Sequence, residues 1–235
     1  MNTNEQAKEI LSRARKAKRN VLLEPEVKAL LASYGCTVTK EKVAASAEEA
    51  AAFASELGFP VVAKIVSPEI IHKTDAKGVK VNLDNAEKVK GAFKEIMANA
   101  KAYDPNARIV GVLLYHMVTG GEEVIIGLAT DPTFGKVIMF GLGGIWVEVM
   151  KDVSFRVVPL SREDARDMVE EIKGYPLLTG IRGKSAKDID ALCDLLVKVS
   201  KVAQANEEIR EMDLNPVFVM DKAAIIVDAR IILEE

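Results

Sequence analysis

The chain has 235 residues, 49% of them hydrophobic, and its formal net charge at pH 7 is only −3. This length and composition predict one large domain or two lobes and exclude a disordered chain. Because no global basic charge is present, no nucleic-acid partner is expected. The N-terminus lacks the apolar core of a signal peptide, and no segment approaches the roughly 20 apolar residues that span a bilayer, so no membrane partner is expected. Two distant cysteines, Cys36 and Cys193, match neither a zinc spacing nor a disulfide framework, which favours a cytoplasmic location.

The first half of the chain alternates between helical and strand patterns. Residues 4–19 predict a helix that packs on the body of the protein or on a partner, and residues 1–20 are treated as a separate N-terminal helix. Further helices are predicted over residues 25–34, 46–57 and 85–102, and strands over 37–43, 61–66 and 79–83. Ser46 and Glu49 form a capping box at the start of the second of these helices, and Gly58 ends it. The alternation predicts a sheet with helices packed against it.

The second half, from Arg108 onwards, is rich in strands with short connections. Strands are predicted over residues 108–117, 122–130, 135–140, 145–150 and 153–158, and the short connections favour antiparallel pairing. Helices follow over 161–172 and 186–205, the first capped by Ser161 with Asp164 at the box position. A hairpin over 213–220 and 224–232 closes the fold.

Residues 60–79 combine a lysine on an apolar strand with a polar loop. A buried lysine is rarely tolerated without a partner, so Lys64 either reaches solvent or contacts an anion. His72 lies in the loop, and a histidine that is neutral at pH 7 is nucleophilic enough to accept a phosphoryl group. Taken alone, a surface histidine without a role is equally open. Together with Lys64, Lys73 and Gly78, His72 favours phosphate binding and phosphoryl transfer.

A second polar cluster lies near the C-terminus, in the closing hairpin. Asp213, Asn215 and Asp228 carry oxygen ligands of the type that Mg²⁺ prefers when it also binds nucleotide phosphates. If Asp221-Lys222 forms the turn, antiparallel pairing places Asn215 opposite Asp228, and Asp213 projects from the same face. The pattern therefore predicts a magnesium site on one face of the hairpin, with a polar strand edge as the alternative.

Residues 115–121 have the features of a joint between two lobes. Tyr115, Met117 and Val118 precede the Gly120-Gly121 pair and offer the apolar faces and backbone groups that an adenine site requires. His116, within the same apolar run, is interpreted as a packing or linker histidine.

Several further residues are candidates for nucleotide contacts. Glu123 follows the joint and suits a hydrogen bond to a ribose hydroxyl, with a solvated strand-end glutamate as the alternative. Gly141, Gly143 and Gly144 form a turn through which backbone amides can approach phosphate. Glu148 is a candidate carboxylate for a metal or phosphate network.

Three separated stretches resemble signature motifs of one family: SPEIIHKTDAKGVKVNL, MFGLGGIWVEVMKDVSFRVVPLSREDA and EMDLNPVFV. They are similar to the ATP-grasp β subunit of ADP-forming acetyl-CoA synthetases, which are related to succinyl-CoA synthetase, and the similarity runs from residue 22 to the end. The resemblance implies an α/β (α+β) ATP-grasp fold. There would be two lobes: residues 21–115 with the phosphohistidine loop, and residues 116–235 with the magnesium site. Each lobe would carry a mainly antiparallel or mixed sheet with packed helices, and the nucleotide would bind between the lobes.

The resemblance also implies a reaction and its cofactors, ATP or ADP with Mg²⁺. Acyl-CoA, ADP and phosphate give free acid, CoA and ATP through an acyl phosphate and phosphohistidines. In this chain His72 would relay the phosphoryl group, Lys64 would bind phosphate, and Asn215 and Asp228 would be the firmer metal ligands, with Asp213 the third. The Lys77-Gly78 pair stands where the family often has two glycines.

The resemblance further implies a separate α subunit, or a fused α region, that carries CoA binding, acyl-phosphate formation and a first phosphohistidine. In a heterotetramer or larger assembly, CoA and the small carboxylic acid would bind mainly through this partner. Two other functions remain open from the residues. One is a stand-alone ATP-grasp carboxylate ligase that acts through an acyl phosphate without His72, and the other is a non-catalytic module that senses ATP.

Overall fold

The computed structural model describes residues 3–144, 150–181, 183 and 185–234. The described helices are α1 (Thr3–Lys16), α2 (Glu24–Ser33), α3 (Ala47–Leu57), α4 (Ala86–Tyr103), α5 (Arg162–Glu171) and α6 (Ile189–Ala205), with a short 3-10 helix over Tyr175–Leu177. The described strands are β1 (Glu41–Ala44), β2 (Val61–Val66), β3 (Val79–Leu83), β4 (Gly111–His116), β5 (Glu122–Asp131), β6 (Gly135–Leu142), β7 (Val153–Val157), β8 (Ile209–Val219), β9 (Ala224–Ile226) and β10 (Ala229–Leu233). Among these residues, the helices are all too short or too polar to cross a membrane.

The chain divides into two compact units: a small unit of residues 39–119 and a large unit of residues 1–38 and 120–235. The predicted boundaries differ from this division, because residues 1–38 belong with the C-terminal half. Their backbone explains why: the Leu22 amide donates to the Ile231 carbonyl at 3.1 Å, and the Ile226 amide donates to the Thr37 carbonyl at 2.9 Å. The predicted strand over 37–43 is therefore split. Val38 pairs with β9 in the large unit, whereas β1 begins only at Glu41.

The small unit is a four-stranded antiparallel sheet in the order β1-β4-β2-β3, with α3 and α4 on one face. Alternate residues of the central strands, such as Ala63, Ile65 and Leu114, enter a core shared with both helices. The predicted strands over 61–66 and 79–83 are confirmed. Lys64 and Tyr115 lie on the opposite face of the sheet, because side chains alternate along each strand.

The large unit is built on a six-stranded antiparallel sheet in the order β10-β8-β5-β6-β7, with β9 paired to β8. Its inner face packs against α1, α2, α5 and α6 in one hydrophobic core that includes Ile126, Phe140 and Met212. Helix α1 adds Ile10, Leu11 and Ala14 to this core, which confirms that it packs on the body of the protein. The opposite face, called here the outer face, carries the candidate metal ligands.

The closing hairpin has the predicted register. Val219 pairs with Ala224, Val217 with Ile226 and Arg230 with Asp213, so the residue numbers of each pair have the same sum. The second strand is interrupted, and β9 and β10 are separate elements on either side of Val227 and Asp228. The predicted strand over 145–150, including Glu148, lies outside the described residues except for Met150.

Helix ends follow the predicted capping chemistry with one difference. Ser161 Oγ accepts from the Asp164 amide, and Asp164 in turn accepts from the Ser161 amide, which is a full capping box. At α3, Ser46 Oγ accepts from the Glu49 amide, but the Glu49 carboxylate accepts from Ala45, one residue before the cap.

Candidate functional site

His72 lies exposed in a short turn whose two sides are buried. Ile70 is 1% exposed and Ala76 is 3% exposed, so both residues anchor the turn in the small-unit core. The His72 carbonyl accepts from the Ala76 amide at 3.3 Å, which folds the turn back on itself. The backbone is therefore held on both sides of the histidine while its side chain faces solvent.

The end of this turn is closed by Lys77 and Gly78. The Gly78 amide donates to the Lys73 carbonyl and the Gly78 carbonyl accepts from the Ile65 amide, both at 2.8 Å. Gly78 is required by space, because a Cβ there would lie 2.6 Å from Ile65 Cγ2. Lys77 has φ +49°, the left-handed region that favours glycine. A lysine thus adopts a backbone conformation that glycine takes without strain.

Lys64 is buried on β2, and its ammonium group lies 5.0 Å from the centroid of the Tyr115 ring. The pairing of β2 with β4 explains this contact: Lys64 is directly opposite Leu113, which makes Tyr115 its diagonal neighbour on the same face. The aromatic face stabilises the cation and limits where the ammonium group can move. Tyr115 is therefore placed to orient Lys64, in addition to its predicted adenosine contact.

The segment after β4 offers fewer free backbone groups than the sequence suggested. The Met117 amide donates to the Pro60 carbonyl at 2.9 Å, so it is not available to adenine. Val118 is half-buried and remains a candidate apolar face. His116 is exposed, and its Nδ1–H donates to the Gly58 carbonyl at 2.8 Å, in agreement with a linker histidine whose ring is fixed by a backbone contact.

Glu123 lines an open recess of about 390 Å³ on the large unit. The other lining residues are Gly120, Gly121, Glu122, Leu142, Gly143, Leu177 and Phe218. The Glu123 side chain is exposed, while its carbonyl accepts from the Gly143 amide at 2.7 Å. This bond uses the Gly143 amide, so the predicted contact of that amide with phosphate requires the bond to open. Gly144 is exposed with φ +61°, and no described residue lies within 4 Å of a Cβ built on it.

The candidate metal ligands occupy three corners of a cross-strand square: Asp213 and Asn215 lie on β8, and Asp228 lies immediately before β10. The Asn215 amide donates to the Asp228 carbonyl at 3.2 Å, which places these residues opposite each other as predicted. Asp213 is opposite Arg230, the fourth corner. Residues at such corners have Cβ atoms about 5 Å apart along each pair, so their side chains can reach a common ion.

The charges of this square fit a divalent cation. Burial raises the pKa of Asp213, Arg230 lowers it, and the charge of Asp228 raises it further. Asp213 Oδ2 lies 3.7 Å from the Arg230 guanidinium, an ion pair too long for a hydrogen bond. Two carboxylates and an amide oxygen are the donor set that Mg²⁺ takes. Among the described residues, no group of three His, Cys, Asp or Glu side chains is placed to hold a metal ion, so a metal bound here would require another donor, such as the side-chain oxygen of Asn215.

The predicted residues are thus grouped into two sets, one on each unit. His72, Lys64, Lys73, Gly78, Tyr115, Met117 and Val118 lie in the small unit, and Glu123, Gly143, Gly144, Asp213, Asn215 and Asp228 lie in the large unit. Within each set the structure brings Lys64 to Tyr115, Glu123 to Gly143, and the three metal-ligand candidates to one face. Sequence reasoning missed Arg230. Its position two residues after Asp228 was the available signal, because strand residues two apart share a face.

Comparisons with known proteins identify the family. A family model described as an ATP-grasp domain matches residues 13–233. The chain is 52% identical to the β subunit of acetate–CoA ligase [ADP-forming] I of Pyrococcus furiosus, over 97% of each chain. The chain belongs to the family of ATP-grasp β subunits of ADP-forming acetate–CoA ligases.

Two solved structures of a similar enzyme show the same fold. An acetyl-coenzyme A synthetase of Ca. Korarchaeum cryptofilum, in complex with coenzyme A and Ca-AMPCP, is 50% identical and has a TM-score of 0.94 over 97% of this chain and 100% of that one. Another structure of that enzyme holds coenzyme A and Mg-AMPPCP, with its phosphohistidine segment pointing towards the nucleotide binding site. It is 47% identical, with a TM-score of 0.85 over 97% and 100% of the two chains.

Proposed function

We propose that this chain is the nucleotide-binding subunit of an ADP-forming acyl-CoA synthetase and that His72 carries the phosphoryl group. The overall reaction converts acyl-CoA, ADP and phosphate to the free acid, CoA and ATP. The chain is an enzyme subunit of the acid–thiol ligase class, and the identity of 52% over nearly all of the P. furiosus β subunit supports this assignment.

The observation that carries the proposal is the geometry of the His72 turn. The imidazole is exposed, but Ile70 and Ala76 anchor the chain two residues before it and four residues after it. A phosphoryl carrier requires both properties, since the ring must reach two reaction partners while its attachment remains defined. The phosphohistidine segment of the K. cryptofilum enzyme supports the same role here.

The transfer consists of two substitutions at phosphorus. An imidazole nitrogen of His72 forms a P–N bond as the donor's own bond to phosphorus breaks, and the donor atom keeps the electron pair of that bond. A terminal phosphate oxygen of ADP then forms a P–O bond as the P–N bond breaks, which restores neutral imidazole and yields ATP. Because charge is spread over the phosphoryl oxygens in each step, positioned cations contribute most of the catalysis.

In the small unit, we assign Lys64 to stabilise the negative charge on the phosphoryl oxygens. Its ammonium is held against Tyr115, so it has a defined position before phosphate arrives. Lys73 is half-buried beside His72, and Gly78 lets the loop close against Ile65. We assign both to phosphate contacts made by the loop.

In the large unit, Asp213, Asn215 and Asp228 would hold Mg²⁺. The ion would neutralise negative charge on the phosphate oxygens of the bound nucleotide. We assign Glu123 to the ribose, where the recess of about 390 Å³ offers space, and Gly143 and Gly144 to phosphate. Tyr115, Met117 and Val118 contribute the adenine contacts, in the case of Met117 through its side chain because its amide is occupied.

The partner we propose is an α subunit that binds CoA and the carboxylic acid and forms the acyl phosphate. This proposal is supported by the P. furiosus relative, which is named a subunit β and is covered over 97% of its length by this chain. We place the complex, a heterotetramer or larger, in the cytoplasm, where buried free thiols such as Cys36 and Cys193 remain reduced.

The test uses the chain mixed with an α subunit of the family and ATP labelled at the γ-phosphate, in the presence of Mg²⁺. We expect an acid-labile, base-stable phosphoenzyme in the wild type and none in His72→Asn. His116→Asn is the matched control, because the chain has two histidines and both are exposed. Label that persists in His72→Asn, or that is lost in His116→Asn alone, would refute the proposed carrier.

A further inference from the structure

We propose that Arg230 is the resident counter-cation of the metal site and that its charge makes tight Mg²⁺ binding dependent on nucleotide. In this role Arg230 is a positioning residue: it holds the carboxylates of Asp213 and Asp228 when no ion is bound, and it moves towards the nucleotide phosphates when the ion enters. The inference rests on the proposed function, because it takes the square on β8 and β10 as the magnesium site.

The geometry gives Arg230 a place that no other described guanidinium shares. It is directly opposite Asp213 in the register of β8 and β10, so these two side chains lie on the same face of the sheet. It also follows by two residues Asp228, whose carbonyl accepts from the Asn215 amide. Its Nη2 atom lies 3.7 Å from Asp213 Oδ2. Arg230 and Asp213 also line one small recess of about 110 Å³ beside the candidate ligands.

The length of this ion pair indicates that Arg230 is exchangeable. At 3.7 Å the guanidinium makes no hydrogen bond to Asp213, and both side chains are more than a third exposed, at 37% and 40%. Exposed pairs of this kind contribute little to stability. The side chain can therefore leave Asp213 at low cost when another anion is offered.

The charges then determine when an ion binds. Asp213 and Asp228 together carry −2, and Arg230 always carries +1, so a divalent cation arrives at a site of net charge −1 and must bind beside a fixed positive charge. A nucleotide adds phosphate charge that attracts both the ion and the guanidinium. Nucleotide and ion therefore increase each other's affinity by the same factor, as thermodynamic linkage requires.

The test measures Mn²⁺ binding to the full chain by electron paramagnetic resonance, with and without saturating ADP. Replacing Arg230 by methionine removes the charge. We expect the variant to bind Mn²⁺ without ADP roughly tenfold more tightly than the wild type, and the increase in Mn²⁺ affinity caused by ADP to be at least about tenfold smaller. Arg230→Lys keeps the charge and is expected to retain most of the coupling.

Arg210→Met is the matched control, since Arg210 has the same side-chain exposure of 37% and pairs with Glu211 outside the square. Arg230→Gln is a second neutral variant in case the methionine variant does not fold. Unchanged or weaker Mn²⁺ binding by both neutral variants without ADP, no measurable binding by them, or an unchanged effect of ADP would overturn the inference. If the wild type binds no Mn²⁺ even with ADP, or if Asp228→Asn leaves its binding intact, the proposed metal site itself fails.

Discussion

Replacing Gly78 by alanine tests whether the His72 turn is held by close packing against β2. The new Cβ would lie 2.6 Å from Ile65 Cγ2 and 3.2 Å from both Ile65 Cβ and the Lys73 carbonyl oxygen. Carbon atoms in contact are about 3.5–4.0 Å apart, so the Ile65 methyl group or the loop must move by about 1 Å. Ile65 is fully buried, which leaves the loop as the part that moves.

Overpacking of this kind costs about 1–3 kcal/mol, and a central value of about 2 kcal/mol corresponds to a decrease in Tm of roughly 4–8 °C for a chain of this length. Calorimetry measures this decrease. The same displacement weakens the bonds that Gly78 makes to Lys73 and Ile65, so we expect slower phosphorylation of His72 in the complex with the α subunit.

A double-mutant cycle identifies the cause of the destabilisation. Ile65→Leu removes the branched methyl group that the new Cβ would meet and costs less than about 1.5 kcal/mol by itself. If the clash is the cause, the double variant should lose about 1 kcal/mol less unfolding free energy than the two single variants lose together. Additive effects, or a Gly78→Ala cost below about 0.5 kcal/mol, would refute the packing argument.

Three further substitutions test how the units are stabilised. Burial raises the pKa of Glu26, but the net shift is downward. The carboxylate accepts two hydrogen bonds from Arg19, both 2.7 Å, and one from the Leu23 amide, and these bonds lower the pKa. The stability it contributes is therefore present above the unfolded pKa of about 4.3 and is lost as the pH falls through the lower folded pKa. Glu26→Gln should thus lower the free energy of unfolding at pH 7 by roughly 1–2 kcal/mol. Unfolding measured as a function of pH should show this difference from wild type disappear as the pH falls below the folded pKa; a constant difference across pH would contradict this. Lys136→Met should lower the free energy of unfolding in urea by about 1–2 kcal/mol, because the Lys136 ammonium donates to two carbonyls at the end of α6 at 2.7 and 2.8 Å. An unchanged free energy of unfolding would contradict this prediction. Gly91→Ala, in the middle of α4 with nothing within 4 Å of the new Cβ, should raise stability by about 0.5–1 kcal/mol; a lower Tm would show a contact that the space around Gly91 does not predict.

Much of the fold and part of the site could be predicted because the signals are local. Ser161 with Asp164 determines a helix start by hydrogen bonds within four residues, and the structure has both bonds. The register of the closing hairpin follows from its turn and from the two-residue period of strands, so Asn215 and Asp228 could be paired without any knowledge of the rest of the chain. Candidates for phosphate and metal were found in the same way, from residue type and spacing.

The points at which the structure departs from the sequence pattern depend on contacts between segments that are distant in sequence. Residues 21–38 have a pattern that either unit could accept, and only the pairing of Leu22 with Ile231 and of Thr37 with Ile226 assigns them to the large unit. Likewise, the pattern around Met117 does not reveal that its amide is already bound to the Pro60 carbonyl. Such partners lie dozens or hundreds of residues away, and no periodicity encodes them.

The amino-acid sequence by itself therefore determined the order of helices and strands, the antiparallel character of the second half and the identity of the reactive groups, because each depends on neighbours within a few residues. The tertiary structure decided the environment of those groups. It placed Lys64 against Tyr115, left His72 exposed between two buried anchors, and set Arg230 opposite Asp213, one of the candidate metal ligands. Position and electrostatic environment depend on packing across the whole sheet, and packing is a property of the folded chain that local sequence patterns do not contain.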